Sequence, residues 1–405
     1  MNLSRVIHTL GVGVDVSKFL SSPVGELQPI RGHDSYLNRD YDHFAFLPAP
    51  LPADVPLGSR TIKLLAEAER ALGRLDAAAS RLPNPTLLVR PALYREAVST
   101  SALEGTYAPF LDVLEADYIE ERKRSAEVRE VLNCVEAAEL GLALVREIPI
   151  CLRMIAELQS TIVKGTPGDS WDAGRLRSGQ VYIGERKLGI ERSRFVPPPH
   201  DYLERGVSDW EKWINADDHV PLLVKAALGH YQFETLHPFS DGNGRLGRLI
   251  VTLQLVQAEA LKYPVLNLSP WFEPRKDAYK DLLLSVSRTG GYDDWLSFFF
   301  TAVAAQAVDA VSRIDDLMAA RNDFLTLLRA DRAKGVVLEI VDDLIAYPVI
   351  TPTQAAGLHG VTYPPAAKAI DRLERLGVLN EITGRSYGRV YACERVMRII
   401  DRPGP

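Results

Sequence analysis

The most constraining feature of the chain is the twelve-residue stretch His237–Arg248, which reads HPFSDGNGRLGR. It follows Val220–Leu236, a mostly apolar segment that predicts a buried helix. It runs into GRLGRLIVTLQLVQAEALKY, whose apolar residues recur at helical spacing. The stretch therefore predicts a loop that joins the N-terminus of a helix. Glycines there let backbone N–H groups approach an anion, and the partial positive charge of a helix N-terminus favours a phosphate.

The other residues of the stretch add the chemistry of phosphate transfer. Arg245 and Arg248 lie on one side of the first helical turn, so with the Gly242–Gly244 turn they predict a cradle for a polyphosphate. Asp241 offers a hard oxygen ligand for a Mg²⁺ ion that bridges phosphates. His237 is the base suited to neutral pH. We infer the attack of a hydroxyl on a nucleotide phosphate, with His237 accepting the proton.

Three other interpretations of the stretch fail on its context. A dinucleotide-binding loop would follow a strand, whereas Gly242-x-Gly244-x-x-Gly247 follows a predicted helix. A Walker A loop needs a Gly-Lys-Ser/Thr sequence that this stretch lacks. A di-iron site built on Glu234-x-x-His237 needs a second copy, and none of the other seven histidines has a glutamate three residues before it.

Composition sets the broad class of the protein. The formal net charge of −6 over 405 residues gives no bulk attraction to nucleic acid or to an anionic membrane. The three cysteines are odd in number and contain no C-x-x-C pair, which argues against a disulfide framework and against a cysteine zinc site. A reducing cytoplasm is therefore the expected location. No stretch approaches the roughly 18 consecutive apolar residues of a membrane span, so we expect no membrane association.

The chain is predicted to be mainly α-helical, in four parts. Residues 1–45 are expected to form an irregular leader, 46–125 a helical segment, 126–330 the core and 335–405 a small domain of helix, turn, helix and two strands, the order of a winged helix-turn-helix. A β-hairpin is predicted within 165–200, with Val181–Ile183 and Arg194–Val196 as its strands. The first helix begins at Ser59 and is stopped by Pro83 and Pro85. The later helices are predicted at Pro91–Leu103, Pro109–Lys123, Glu127–Arg146, Ile150–Val163, Asp201–Asn215, Val220–Leu236, Arg275–Ser287 and Asp293–Leu328.

The stretch resembles the Fic family signature, H-x-F-x-(D/E)-G-N-G-R-x-x-R. It matches at every defined position, namely His237, Phe239, Asp241, Gly242, Asn243, Gly244, Arg245 and Arg248. Three further parts are also similar to that family: the segment from Leu47 to Ala116, the flap around Arg177–Ile183 with Pro197–Pro199 after it, and the C-terminal domain. The resemblance implies a Fic-type helical bundle with a small β-hairpin flap, followed by a C-terminal winged helix-turn-helix domain, and it leaves residues 1–40 unassigned.

What the resemblance implies about function is the transfer of AMP from ATP to a Ser, Thr or Tyr hydroxyl. His237 would be the general base and Asp241 would hold Mg²⁺. The nucleotide would be bound by Gly242, Asn243, Gly244, Arg245, Leu246, Gly247 and Arg248, with Tyr279 at the adenine. The flap would dock a target protein by adding a strand.

A second motif points to regulation. Thr100–Gly105 reads TSALEG and fits (S/T)-x-x-x-E-(G/N), the pattern of the Fic inhibitory helix. A glutamate at 104 that pairs with Arg248 would neutralise it and crowd the γ-phosphate site. Thr100 and Glu104 are therefore the expected inhibitory residues, and the alternative is that Glu104 and Gly105 only end a helix.

Other candidates have simpler interpretations beside the functional one. Tyr279 and Trp271 could line an adenine pocket or be core aromatics. Tyr182 could contact the target or pack against the flap. His230 lies seven residues before His237 and is expected to be a buried, hydrogen-bonded histidine rather than a catalytic partner.

The C-terminal domain leaves its partner open. A recognition helix at Tyr363–Leu376 carries Lys368, Arg372 and Arg375, but residues 335–405 hold eight Lys and Arg against eight Asp and Glu. This neutral balance is weak support for DNA binding, and the alternative is that the domain binds another protein or forms a homodimer. As a whole, the alternatives to AMP transfer are a DNA-binding regulator that uses the Fic module as a nucleotide sensor, removal of AMP from a modified target, and transfer of another nucleotide or a phosphocholine-like group.

Overall fold

Helices dominate the computed structural model, which describes residues 16–81 and 84–405. In chain order the helices are α1 Ser59–Ser80, α2 Val89–Leu103, α3 Phe110–Glu115, α4 Ala126–Leu144, α5 Leu152–Val163, α6 His200–Ile214, α7 Leu222–Leu236, α8 Asn243–Gln257, α9 Ser269–Phe272, α10 Lys276–Thr289, α11 Tyr292–Ala330, α12 Val337–Asp343, α13 Pro352–His359, α14 Tyr363–Arg375 and α15 Glu394–Asp401. The strands are β1 Gly25–Asp34, β2 Arg39–Pro48, β3 Val349–Ile350, β4 Asn380–Glu381 and β5 Tyr391–Ala392. The predicted mainly α fold is confirmed.

Residues 25–48 correct the prediction of an irregular leader. They form an antiparallel hairpin of two ten-residue strands, β1 and β2, in register from Gly25 opposite Pro48 to Asp34 opposite Arg39. The turn has its own chemistry, since the Asp34 carboxylate accepts the N–H groups of Tyr36 and Leu37 and Asn38 adopts a positive φ. The proline and glycine content of this part of the chain favoured irregular structure, but an edge strand tolerates a proline such as Pro29 when its missing N–H lies away from the partner strand.

The hairpin packs on the segment predicted to be the flap. The Phe46 N–H donates to the Val196 carbonyl over 2.9 Å, and Arg39 forms an ion pair with Glu191 at 2.6 Å. Ile183 and Phe195 pair in one isolated bridge. The two predicted flap strands therefore meet at one point, and β2 lies along the outer side of the second. Two apolar clusters bury this contact, one of Phe19, Phe46, Phe195 and Leu284 and the other of Ala45, Ile190 and Val196.

The helices reach their predicted positions within a few residues, with one exception. The helix predicted over Pro109–Lys123 ends at Glu115 and continues as separate 3₁₀ turns. Tertiary contacts override helix propensity here, since the Tyr118 hydroxyl donates to the Val349 carbonyl at 2.8 Å and Asp117 pairs with Arg90. Pro83, predicted to stop the first helix, lies outside the described residues.

The chain divides into two compact units that are each discontinuous in sequence. Unit 1 comprises the described part of residues 1–67 with 136–258 and 275–301, and unit 2 comprises the described part of 68–135 with 259–274 and 302–405. The four domain boundaries expected from the sequence stay predictions.

The core of unit 1 is built around α7. This helix is buried around nearly its whole circumference, as its apolar composition predicted, and it packs against α6 and α8. Two indoles bind its backbone: Trp210 donates to the Gly229 carbonyl and Trp295 to the Ala227 carbonyl, each over 2.9 Å. Helix α7 is therefore a fixed platform for the residues that follow it.

Within unit 2, residues 337–401 follow the order helix, strand, helix, helix, strand, strand, helix. The strands form a three-stranded antiparallel sheet in the order β3-β5-β4. Thr351 caps α13 by accepting the Gln354 N–H at 3.1 Å. The two predicted helices and two later strands are present, and the winged-helix interpretation stays a prediction.

Helix α11 is the one described helix whose length and apolar composition would let it cross a membrane. The expectation that no segment approaches a membrane span was therefore too strict. A single such helix is weak evidence, because core helices meet the same criteria. Trp295, Phe299 and Phe300 on its first part are fully buried, as in a core helix.

His43 is a buried titratable group on β2, on the same face as Tyr41 and Ala45. It is 3% exposed, and neither ring nitrogen has a hydrogen-bond partner in the described part of the chain. Burial lowers the pKa of His43 and outweighs the opposing effect of Glu191 and Asp42. Because its pKa is lower in the folded state, its favourable contribution is complete above the unfolded pKa of about 6.5 and is lost as the pH falls below that value.

We therefore predict that His43→Leu weakens the acid sensitivity of the fold. Thermal unfolding at about pH 7.5 and about pH 5.5, on either side of the unfolded pKa of histidine, gives the measurement. The midpoint of the wild type should fall further between the two than that of the variant. Equal falls in both proteins would contradict the assignment of His43 as a buried neutral side chain.

Candidate active site

His237 ends α7 in a left-handed conformation. Its φ is 48° and its ψ 59°, and its N–H donates to the Phe233 carbonyl over 3.0 Å. A left-handed residue at this position stops a helix and reverses the chain, at a cost of roughly 1–2 kcal/mol for a residue other than glycine. The predicted base is therefore held at a sharp turn, directly between α7 and α8.

Asn243 closes the loop between the two helices. Its side-chain oxygen accepts the Phe239 N–H at 2.9 Å, and its side-chain nitrogen donates to the Phe239 carbonyl at 2.8 Å. Asn243 is 2% exposed and Phe239 is fully buried. The amide is thus used within the protein, which leaves the backbone of Asn243, rather than its side chain, for the predicted contact with phosphate.

Gly242 and Gly247 are each required to be glycine for a different structural reason. Gly242 precedes α8 with a φ of +81°, a conformation that side chains rarely adopt. A Cβ on Gly247 would lie 2.6 Å from a carboxylate oxygen of Glu234, so this glycine allows α8 to approach α7. The first turn of α8 keeps N–H groups that have no acceptor within the helix, as the prediction of an anion site at Gly242, Asn243 and Gly244 requires.

The two arginines and Leu246 are placed differently from one another. Arg245 and Arg248 are 6% and 4% exposed, and one guanidinium nitrogen of Arg245 lies 3.2 Å from Asp241. Leu246 is fully buried, and its N–H donates to the Gly242 carbonyl. Leu246 and Gly247 therefore serve the packing of α8, and their assignment to ATP binding stays a prediction.

Asp241 presents a partly exposed carboxylate at the start of the turn. Its Oδ1 accepts the Gly242 N–H at 2.5 Å and faces Arg245 at 3.2 Å, while its side chain remains 48% exposed. A Cβ added to Gly168 would lie 2.2 Å from its Oδ2, so the chain at 168 passes directly beside this oxygen. Among the described residues, no three His, Cys, Asp or Glu side chains gather into a metal site. A metal ion at Asp241 would therefore take its remaining ligands from water or a bound phosphate.

The loop after α5 supports the motif from behind. Gln159, 1% exposed, donates to the Asp241 carbonyl at 3.0 Å and accepts the Gly174 N–H at 2.6 Å. Asp172 accepts the Ser240 hydroxyl at 2.6 Å and also the Ser170 hydroxyl. Burial raises the pKa of Asp172, but these hydrogen bonds outweigh it and the net pKa is lower than usual. The side chain is therefore an ionised acceptor that holds Ser240.

Arg177 joins the motif to the flap. It is 2% exposed, and its guanidinium donates to the backbone carbonyls of His237, Gly179 and Pro198. From the sequence, Arg177 was predicted only to begin the flap, and Gln159 and Asp172 were given no role. The only signal in the sequence was that polar residues occur in the segments next to the motif. The sequence does not show which of these polar residues are buried.

Tyr279 lies in a buried aromatic cluster. It is 3% exposed, and its hydroxyl is 2.6 Å from a ring nitrogen of His230. Trp295 lies near both rings, with centroids 5.9 Å and 6.0 Å away. The expectation of a buried, hydrogen-bonded His230 is confirmed, and the contact of Tyr279 with adenine stays a prediction.

The inhibitory motif lies at the end of α2, in unit 2. Thr100 is 4% exposed, and Glu104 follows the last helical residue as an exposed C-cap. Gly105 has a φ of +97°, so its glycine has a conformational reason. The pairing of Glu104 with Arg248 stays a prediction, as does the role of Trp271, which is buried in α9.

The basic residues of the predicted recognition helix are only partly available. Lys368 and Arg375 of α14 are exposed, whereas Arg372 pairs with Asp331 at 2.5 Å. Two of the three basic side chains of α14 are therefore exposed without this pairing, and DNA binding stays a prediction.

Two family models match the chain around this site. The Fic/DOC family N-terminal model matches residues 62–143, and the Fic/DOC family model matches residues 149–255, which include the whole motif. This chain is a Fic/DOC family protein. The resemblance seen in the motif is thus confirmed independently over both segments.

Curated relatives of this Fic/DOC protein carry names that state an activity. Protein adenylyltransferase Fic of Drosophila erecta is 29% identical over 176 residues, which are 42% of this chain and 33% of the relative. Protein adenylyltransferase fic-1 of Caenorhabditis elegans is 34% identical over 92 residues, which are 22% of this chain and 16% of the relative. The matched regions thus span a third or less of these relatives.

A solved structure shares the fold. The crystal structure of a Fic family protein from Desulfovibrio desulfuricans G20 aligns with a TM-score of 0.55 at 20% identity, covering 85% of this chain and 98% of that one. The arrangement of helices is therefore that of Fic proteins.

We predict that Asn243→Ala destabilises the fold by about 1–3 kcal/mol, because it leaves the buried Phe239 N–H and carbonyl without partners. The free energy of unfolding in urea gives the measurement. Asn215→Ala is the matched control: Asn215 also donates to a backbone carbonyl, that of Ile150 at 2.8 Å, but it is exposed. Its loss should cost only about 0.5 kcal/mol. Equal losses in the two variants would show that Asn243 does not hold the loop.

Proposed function

We propose that this Fic/DOC protein is an autoinhibited protein adenylyltransferase, which transfers AMP from ATP to Ser, Thr or Tyr hydroxyls of target proteins and of itself. The observation that carries the proposal is the loop in which Asn243 holds His237, Asp241 and the N-terminus of α8 together. A base, a hard oxygen ligand and an anion-binding helix terminus are the parts that this transfer needs. The names of the relatives agree with it.

In the proposed reaction the phosphates of ATP bind at the first turn of α8, beside Arg245 and Arg248. The target hydroxyl oxygen forms a bond to the α-phosphorus, and the bond between that phosphorus and the bridging oxygen of the β-phosphate breaks. Pyrophosphate leaves with this electron pair. His237 accepts the proton of the hydroxyl, so that the attacking oxygen carries a negative charge only in the transition state.

Asp241 is the residue that would hold Mg²⁺. A partly exposed carboxylate next to an anion site suits an ion that binds proteins through one or two carboxylates and takes its other ligands from phosphates and water. When bound, the ion would neutralise charge on the phosphates.

The flap offers one open edge to a target protein. The second flap segment is covered by β2 through the bond from Phe46 to Val196, so a target strand would add along Val181–Ile183. Both backbone groups of Ile183 face Phe195, and because neighbouring residues alternate, the backbone of Tyr182 would face the target.

Autoinhibition would act through Glu104. Its carboxylate, paired with Arg248, would take the cation that the outer phosphates of ATP need. The motif, the position of Glu104 at the end of α2 and the left-handed Gly105 support this proposal.

We predict that Glu104→Gly speeds the transfer. A hydrogen bond to a charged group contributes about 1.5–3 kcal/mol, which corresponds to about a 10- to 100-fold change in rate. The measurement is incorporation of label from ATP labelled at the α-phosphate, compared between wild type and variant. His237→Ala in the variant background should abolish the signal. A variant no faster than the wild type would refute autoinhibition through Glu104.

We also predict that Gly168→Ala raises the Mg²⁺ concentration required for half-maximal transfer. The added Cβ forces the Asp241 carboxylate to move, and disturbing the support of a metal ligand typically weakens metal binding about 10- to 100-fold. Gly179→Ala is the control in the same segment, because a Cβ there meets nothing within 4 Å. If the Mg²⁺ requirement is the same in both variants, Asp241 is not the metal ligand.

A further inference from the structure

We propose that Arg177 is a positioning residue of the transfer reaction, whose guanidinium keeps the backbone of His237 and both segments of the flap in one fixed register. This inference rests on the proposed function, because it assigns to Arg177 the alignment of the target hydroxyl with the base. Neither the motif nor the comparisons assign a role to this residue.

The contacts of Arg177 define the role. Nε donates to the His237 carbonyl at 2.8 Å, and Nη2 lies 3.4 Å from the Leu236 carbonyl, so one side of the guanidinium holds the end of α7. Nη1 donates to the Gly179 carbonyl at 2.9 Å, and Nη2 donates to the Pro198 carbonyl at 2.6 Å. These two bonds hold the segments that enter and leave the flap.

The backbone of Arg177 adds a further bond to the same loop. Its N–H donates to the Pro238 carbonyl at 3.0 Å. Main chain and side chain of one residue therefore bind the turn that carries the base, at three successive carbonyls of residues 236–238. A lysine could not reproduce this pattern, because its ammonium is a single point rather than a planar fork.

Arg177 is a buried cation that is held by backbone carbonyls rather than by a carboxylate. All hydrogen-bond acceptors of the guanidinium in the described part of the chain are backbone carbonyls, and none is a carboxylate. Burial lowers the pKa of Arg177 to about 10, which still leaves it protonated at neutral pH. A charge without a counter-ion is stable at this depth only while the carbonyls stay in place, so a displaced flap or turn leaves it poorly solvated.

The consequence for the reaction is a link between target and base. The target backbone is proposed to add to the flap, and the proton of its hydroxyl passes to His237. Both distances depend on the same guanidinium, and a misplacement of 1 Å can lower a rate by about 100-fold. The anion site at the first turn of α8 has its own support in Asn243, so ATP binding should not depend on Arg177.

Arg313 in unit 2 provides a matched control. It is 7% exposed, and its guanidinium donates to carbonyls of the C-terminal segment, including Ile400 at 3.1 Å and Arg402 at 2.6 Å. Unlike Arg177, it also has a carboxylate partner, since its Nε lies 2.7 Å from Asp309. Replacing it removes the same kind of buried arginine–carbonyl contact without touching His237 or the flap.

The experiment compares Arg177→Lys with Arg313→Lys, both in the Glu104→Gly protein. We measure kcat and the KM for ATP in transfer from α-labelled ATP, and we count active molecules by the stoichiometry of ATP binding, so that unfolded protein does not enter kcat. Arg177→Lys should lower kcat about tenfold or more, with the KM for ATP within about twofold of the parent. Arg313→Lys should lower the unfolding temperature and leave both constants within about twofold of the parent.

The contrary outcomes are distinct. A kcat for Arg177→Lys within about twofold of the parent, or an equal loss in kcat for Arg313→Lys, overturns the role of Arg177. If Arg177→Lys binds no ATP, Arg177→Gln is read by the same two criteria, and failure of ATP binding in both variants also overturns it. Absence of transfer from the Glu104→Gly parent itself overturns the proposed function and with it this inference.

Discussion

The site depends on two hydrogen bonds between the side-chain amide of Asn243 and the backbone of Phe239. They close a loop that has α7 on one side and α8 on the other. Helix α7 is buried on almost all sides and two indoles bind its backbone, so the loop begins from a well-supported position. The end of one helix and the start of the next therefore stay at a fixed distance. A base at the first and an anion site at the second form a reaction centre only under that condition.

Three further buried polar side chains hold the same loop in place. Gln159 fixes the carbonyl of Asp241, Asp172 fixes the hydroxyl of Ser240, and Arg177 fixes the carbonyl of His237. Each of these contacts holds either a backbone group of the motif or the side chain of Ser240, which has no predicted role in the reaction. In the proposed reaction, rigid support of this kind would lower the reorganisation needed when charge develops on the attacking oxygen. The N-terminal hairpin adds a second restraint, because β2 covers one edge of the flap.

The sequence allowed much of this to be predicted, and the gaps have physical reasons. Helices such as α7 and α8 were predictable because their apolar periodicity is long, and the His237–Arg248 motif was predictable because its residue types and spacing are specific. The hairpin of β1 and β2 was missed, since the proline and glycine content of this part of the chain suggested irregular structure, whereas an edge strand such as β1 tolerates a proline. Leu246 and Gly247 were assigned to ATP because they stand inside the motif; burial adds a packing role, and the contact with ATP stays a prediction. Arg177 was missed as a support because its partners are carbonyls, which have no signature in a sequence.

The central claim is that this site transfers AMP, rather than another part of a nucleotide, to a protein hydroxyl. The most direct measurement is the intact mass of the Glu104→Gly protein after incubation with Mg²⁺ and ATP, followed by fragmentation to locate the modified residue. The account predicts a gain of one AMP on a Ser, Thr or Tyr side chain, and no gain when His237 is replaced by Ala. A gain of a phosphate alone, or an unchanged mass in the His237-containing protein, would contradict it.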